Sequence, residues 1–509
     1  MMATDNYTKF PSQLWDKVLS KVKKAVVFMD DKCAECLHWN GGAATLFEAG
    51  ACNLKQFSSF ESCGKNEPKA VFVVSTLLKG RTIDIIKDTI SLSHFQYCVV
   101  FTSVAHSAHL LANNVTTELE GNPVFEQFEE KLCEWMGNMN YTAEVMHAPI
   151  VFAPVSQQLL LMPTFPDLFP LLSPDLESIN AKRPEKKKFG GLYDVDIHSL
   201  PPELQIEIKS LASALNAMFE ATNTREESFA VGPMSRIIAG ELTNHPQAKN
   251  RRKLAPNKAS IIFVDRTMDL TGAVGHHGDN LVEKILTFLK PLPGHVTDVQ
   301  VDMLELTSLQ HNPNSHTTLA PGCLAQTQET SSDCSTVQNV VLISSRCVSP
   351  EEVTMERAHS AVEKVFETLR GLSQTRDHLK QLRSVYTASD GIHQATYRPF
   401  LRQVLEEVFN PDRVECPDIE HMSGGLTDLL KTGFSMFMKV SRPHPSDHPL
   451  LFLFLVGGVT PSELRMIKEV VSAHKQGTQV LVLSTRLLRP ADIPELLFTT
   501  QRLVPDMGV

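Results

Sequence analysis

Nowhere in the 509 residues is there an apolar run of the ~20 residues that a membrane-spanning helix needs. The longest candidate, Leu450 to Val456, is stopped by Gly457 and Gly458. A basic surplus is missing as well. The formal net charge is −10, which argues against nucleic acid as the main partner. The first residues, MMATDNYTKFPSQLWDK, lack a basic start followed by an apolar core, so no secretory signal is expected. Cysteine is present without a framework: ten are scattered along the chain with one close pair, Cys33 and Cys36, as in proteins with reduced thiols. These absences describe a cytoplasmic chain whose membrane association would be peripheral.

Catalytic signatures are equally scarce. There is no G-x-x-x-x-G-K-[ST] loop, no G-x-G-x-x-G turn, no G-x-S-x-G elbow, no H-E-x-x-H helix and no kinase set. Two stretches still invite a chemical reading. FLVGGVTPSEL (454–464) has the strand–glycine–helix layout of a phosphate turn. Thr460 as N-cap, Pro461 at the first helical position and Glu463 two residues later already explain the helix start, so a structural turn is the favoured reading. IIFVDRTMDLTGAVGHHGDN (261–280) gathers Asp265, Asp269, His276, His277 and Asp279, the ligand types of a metal hydrolase. Their spacing is loose, and Arg266 beside Asp265 suits an ion pair that organises a loop. A metal- or nucleotide-dependent hydrolase using Asp265, Asp269 and His276 is kept as the alternative.

The Cys33–Cys36 pair lacks the Trp-Cys-Gly-Pro setting of a redox helix and reads as structural thiols. The basic runs Lys182–Lys188 and Lys249–Lys253 read as loops, solvated or facing anionic lipid or an acidic partner helix.

What is present is a repeated alternation of strand and helix. KKAVVFMDD (23–31), KAVFVVST (69–76) and FQYCVVFTS (95–103) are apolar on both faces and separated by helical patterns, the mark of a helix-covered parallel sheet. The pattern restarts near Tyr141 with EVMHAPIVFAPV (144–155), placing a domain boundary there. Further strands are expected at 259–265, 450–456 and 479–485, the last two joined by a crossover helix. Segments 356–384, 394–409 and 423–439 read as helical, and 247–258 as a basic loop. The expected domains are 1–140, then 141–275 and 446–509 as two parts of a second α/β unit, with a helical domain at 276–445 between them.

Three stretches carry a family resemblance: IIFVDRTMDL (261–270), FLVGGVTPSELRMIKEV (454–470) and QVLVLSTRLLRP (479–490). They resemble the Asp-Arg-x-x-Asp strand end, the Gly-Gly-Val-Thr helix start and the closing Ser-Thr turn of the Sec/Munc (SM) family of syntaxin-binding vesicle-trafficking proteins. That resemblance implies an SM-type arch, with two parallel-sheet α/β domains and a helical third domain. It implies syntaxin and other SNARE partners, no cofactor, no catalysis, and a cytoplasmic location at Golgi or other secretory membranes. It marks Asp265, Arg266, Asp269, Gly457, Gly458, Thr460, Glu463, Ser484 and Thr485 as structural motif positions and assigns no partner-binding residue. The chain departs from the family after APGCL (320–324), where a short Ser/Thr-rich segment precedes the next helix, so the third domain is expected to be shortened around 325–355.

Overall fold

The computed structural model describes residues 4–274, 355–422 and 443–507, apart from interruptions at 65, 116–121, 383–385, 388, 395, 413–414, 475–476 and 499–500; between them it describes only 285, 289 and 299. The expected shortening at 325–355, the helix at 423–439, and His276, His277 and Asp279 lie outside the described residues.

The first sheet comprises β1 (Val26–Met29), β2 (Asn53–Gln56), β3 (Lys69–Val74), β4 (Tyr97–Thr102) and β5 (Thr142–His147). Its order is β2-β1-β3-β4-β5 and every pairing is parallel. Alternate side chains of these apolar strands point to opposite faces. Val27, Val71 and Val99 enter one core, Phe28, Phe72 and Val100 the other, and helices cover both. The single strand expected over 144–155 is instead two. Thr142–His147 completes the first sheet, and Ala153–Ser156 (β6) enters the second. Pro149, which cannot donate to a ladder, lies in the stretch where the chain changes sheets, so the first sheet runs past residue 140.

The second sheet adds β7 (Leu159–Leu161), β8 (Thr224–Val231) and β9 (Asn257–Asp265). After a small hairpin of β10 (Tyr386–Thr387) and β11 (Thr396–Tyr397), it takes up β12 (Glu420–Met422), β13 (Leu450–Val456) and β14 (Gln479–Ser484). The order is β12-β8-β9-β13-β14-β7-β6, parallel except at the two edges. The strands read at 259–265, 450–456 and 479–485 therefore share one sheet. Apart from the half-buried Gln479, those runs are buried, as the centre of a helix-covered sheet requires.

Helices in chain order are α1 (Asp5–Leu19), α2 (Asp31–Trp39), α3 (Ala43–Glu48), α4 (Arg81–Ser91), α5 (His106–Ala112), α6 (Pro123–Met136), α7 (Ser173–Ala181), α8 (Pro202–Ala221), α9 (Pro233–Thr243), α10 (Ala248–Leu254) and α11 (Thr271–Val274). They continue with α12 (Met355–Arg376), α13 (Phe400–Val408), α14 (Pro461–His474) and α15 (Asp492–Phe498). No described helix is long and apolar enough to cross a membrane. α1 belongs to both units: Tyr7, Phe10 and Leu14 pack into the second sheet's core, Trp15 and Val18 into the first. α13 lays Leu401, Val404 and Val408 on the other face of the second sheet.

The basic stretch 247–258 is not a loop but α10 and the start of β9. Arg251 is buried, and its guanidinium grips Glu226 on β8 with Nη2 2.8 Å from both carboxylate oxygens. Arg252 donates to the same carboxylate at 2.7 Å. Strand β8 itself, TREESFAV, escapes a pattern search because its first half is charged, and only this pairing lets Glu226 be buried between the half-buried Arg225 and Glu227.

Glu207 on α8 is buried at the seam between the two units. Burial pushes its carboxyl up to about 7, Lys32 pulls it down and Asp167 adds to the rise. An acid raised in the folded state binds more protons folded than unfolded between the two pKa values. Its contribution to stability is therefore lost as pH climbs from the unfolded value near 4.5 to about 7. Glu207→Gln is expected to remove that slope and to stabilise the chain by about 2 kcal/mol at about pH 8 but not at about pH 5. Urea unfolding at both pH values checks this.

Candidate functional site

The marked positions converge where β9 and β13 end. Asp265, the last residue of β9, is 1% exposed. Its carboxylate accepts the Met234 amide at 2.9 Å, the Ser235 amide at 2.8 Å and the Ser235 hydroxyl at 2.6 Å. These are the bare donors at the start of α9, so Asp265 caps the helix that follows the neighbouring strand. Burial pushes the carboxyl up to about 7, while the Ser235 hydroxyl and the two amides oppose the rise.

Arg266 is the largest fully buried side chain in the protein's described part. Its Nη1 donates to Glu463 Oε2 at 2.8 Å and reaches the Gly458 carbonyl at 3.5 Å, while Nε donates to the Asp269 carbonyl at 3.0 Å. Glu463 in turn closes a reciprocal cap. The Thr460 amide donates to Glu463 Oε2 at 2.9 Å, and the Glu463 amide to Thr460 Oγ1 at 3.2 Å. One carboxylate thus starts α14 and neutralises the guanidinium at the end of the adjacent strand. Thr460→Ala should cost about 1 kcal/mol through loss of the hydroxyl cap, read as a shift in the urea midpoint.

Asp269 ties in the segment between the two parts of the second unit. Its Oδ1 accepts the Gly272 amide at 2.9 Å; Oδ2 accepts the Tyr397 hydroxyl at 2.9 Å and the Phe400 amide at 3.0 Å. It therefore caps α13 and pins the β10–β11 hairpin to the end of β9. Burial and the Asp269 charge push the Tyr397 phenol up, which keeps it a donor. Tyr397 and Ser235 carry no sequence signal of this role: Tyr397 is 128 residues from its partner, so only the fold joins them.

Gly457 and Gly458 have φ of +101° and +115°, backbone that side-chain-bearing residues avoid. Space forbids a side chain too. A Cβ on Gly457 would lie 2.8 Å from Phe169 Cδ2, and one on Gly458 2.4 Å from Leu488 Cγ. The next strand is locked to this turn by Val459 and Leu488, whose amides donate to Arg486 and Val459 carbonyls at 3.1 and 2.9 Å. Ser484 donates to the Leu455 carbonyl at 2.8 Å, and its own carbonyl accepts the Met162 amide at 2.8 Å. The buried Thr485 hydroxyl finds no hydrogen-bond partner among the described residues.

Chemically this is a fastening, not a reaction centre. Both oxygens of Asp265 and of Asp269 are engaged by donors, and neither carboxylate is left directed at a metal. Among the described residues no group of three His, Cys, Asp or Glu could hold one. The hydrolase alternative is left without support from its two described acids. Cys33 and Cys36 are buried on α2, where desolvation pushes both thiols well above their usual value, so they are core residues. Of the basic run at 182–188, Lys188 pairs with Glu185 at 2.6 Å on the surface and Arg183 lies over the Phe189 ring at 4.0 Å.

No family model matches the chain. Curated relatives align with it from end to end. Sec1 family domain-containing protein 2 of Homo sapiens is 41% identical over 683 residues, covering 100% of both chains. Its Mus musculus counterpart is 40% identical over 683 residues with the same coverage. Because the alignment exceeds the 509 residues of this chain, the human relative has residues with no counterpart here. Among solved structures, the SM protein Vps45 in complex with the Qa SNARE Tlg2 (1–310) has a similar fold, with a TM-score of 0.50 at 10% identity over 99% of each chain. The Unc18–syntaxin 1 complex from Monosiga brevicollis gives a TM-score of 0.49 at 11% identity over 99% of each.

Proposed function

The chain belongs to the Sec/Munc (SM) family, as a relative of Sec1 family domain-containing protein 2, and from that premise we propose that it is a non-catalytic, SNARE-binding regulator of vesicle docking and fusion in intracellular protein transport. The observation that carries this reading is 41% identity to that relative over the full length of both chains. A second support is that the structure of similar fold at a TM-score of 0.50 holds Vps45 together with a Qa SNARE. The buried acids, engaged in capping helices, favour a binding role over hydrolysis.

The partners are syntaxins and related SNAREs, met in the cytoplasm at Golgi or other secretory membranes that the chain reaches through those partners. Its helical third domain is shortened around 325–355; an alignment longer than the chain supports that reading. Asp265, Arg266, Asp269, Gly457, Gly458, Thr460, Glu463, Ser484 and Thr485 act in it as architecture, with no contact to partner required. The test is a pull-down of purified full-length chain against a panel of syntaxin cytosolic regions. Retention of at least one above background is expected, and retention of none sinks the proposal for this chain. Elemental analysis of the same sample should find no stoichiometric metal.

A further inference from the structure

The basic stretch 247–258 has no part in the motif junction, and it presents a face to solvent. α10 turns Ala248 and Arg251 inward, where Arg251 and Arg252 share the buried carboxylate of Glu226. At 3.6 residues per turn, the opposite face of the helix carries Lys249, Asn250, Lys253 and Leu254, all of them exposed. Lys258 follows at the exposed start of β9, with Arg225 as its neighbour on β8.

The charges on this face are uncompensated. One carboxylate, Glu226, serves both arginines, and the nearby Glu227 is paired with His421. Lys249, Lys253 and Lys258 form no ion pair with the described residues. A cationic surplus therefore stands on a chain whose formal net charge is −10.

Beside these lysines Leu254 protrudes, 83% exposed at the last helical position. Lys253 before it is exposed and Ala255 after it is half-buried, so it stands on a ridge without the apolar groove that a partner helix requires. A short helix lying flat, with lysines beside an outward leucine, suits a bilayer surface better. The apolar side chain enters the headgroup boundary, and ammonium groups on flexible stems meet anionic headgroups.

We propose that the outer face of α10 is a membrane contact, in which Lys249 and Lys253 engage the headgroups of an anionic bilayer and Leu254 enters its interface. This adds a direct hold to the one made through partners. Each lysine contributes about fivefold to binding and the leucine about tenfold, too little for stable anchoring without a second signal. The contact also orients the second unit. It brings the starting end of β9 to the bilayer and leaves the capped junction at the far end of that strand pointing away.

Flotation of the full-length chain with lipid vesicles tests this. Phosphatidylcholine vesicles containing phosphatidylserine should retain the chain, pure phosphatidylcholine vesicles should not, and added salt should weaken retention. Lys249→Glu with Lys253→Glu should lower vesicle affinity at least about twentyfold, and Leu254→Ser about tenfold with the salt dependence kept. These side chains are exposed, so the urea midpoint should not move. Lys186→Glu with Lys187→Glu makes the same change of net charge on the other basic run and should bind like the parent. No retention by anionic vesicles overturns the proposal, as does equal retention by neutral ones or undiminished retention of the Lys249/Lys253 variant. A loss as large in the Lys186/Lys187 variant overturns it too, because net charge and not α10 would then carry the binding. Capture of an acidic helical peptide by a chain that ignores vesicles would give this face to a protein partner and likewise overturn it.

Discussion

Replacing Arg266 with alanine is expected to destabilise the chain by about 3–5 kcal/mol, the cost of removing one partner from a buried ion pair. Glu463 is 5% exposed, and its Oε2 would lose the guanidinium 2.8 Å away while remaining out of water. The Asp269 carbonyl would lose its Nε donor as well, leaving a buried acceptor unsatisfied. Asp269 is the residue that holds Tyr397 and α13, so the damage should spread from the end of β9 into the 386–408 segment. The paired replacement Arg266→Met with Glu463→Leu removes both charges and keeps the volume apolar. It should recover most of the loss, short of about 1 kcal/mol for the cap that Glu463 gives Thr460. Urea unfolding of the single and double variants reads both values. Equal loss in the two would mean that the burden lies in packing and not in the stranded charge.

Gly458→Ala should cost about 2–4 kcal/mol for two separable reasons. A φ of +115° lies outside the regions open to side-chain-bearing residues, a strain of about 1–3 kcal/mol. In addition the new Cβ meets Leu488 Cγ at 2.4 Å, and Leu488 is 2% exposed, with little room to retreat. A double-mutant cycle with Leu488→Ala divides these contributions. The pair should be more stable than the sum of the singles by about 1 kcal/mol or more, since the cavity accepts the methyl group. What the cycle cannot recover is the backbone strain. Strict additivity would place the whole cost in φ.

Much of this junction was legible in the amino-acid sequence because its signals are local. Thr460, Pro461 and Glu463 lie within one helical turn, so the reciprocal cap can be read from spacing alone. The runs at 259–265 and 450–456 are apolar on both faces and announce central strands. Other features were hidden by tertiary pairing. Strand β8 carries Arg225, Glu226 and Glu227 within its first half and looks like surface until Arg251 and Arg252 neutralise Glu226. The same pairing turns an evident basic loop into α10. The stretch 144–155 has the composition of one strand, and only the pairing of β5 with β4 shows that it serves two sheets. Asp265 and Asp269 have the chemistry of ligands. Their role as helix caps depends on Ser235, Gly272, Tyr397 and Phe400, which no spacing rule brings to them.

In the proposed binding function the acidic motif is architecture and touches no partner. Calorimetric titration of the full-length chain, and of the folded Arg266→Met/Glu463→Leu pair, with a syntaxin retained in the pull-down tests it most directly. Saturable binding with affinities within about twofold of one another, unaffected by a metal chelator, is the predicted result. No binding by the wild-type chain, or loss of binding in a pair variant that unfolds as cooperatively as the parent, would contradict it.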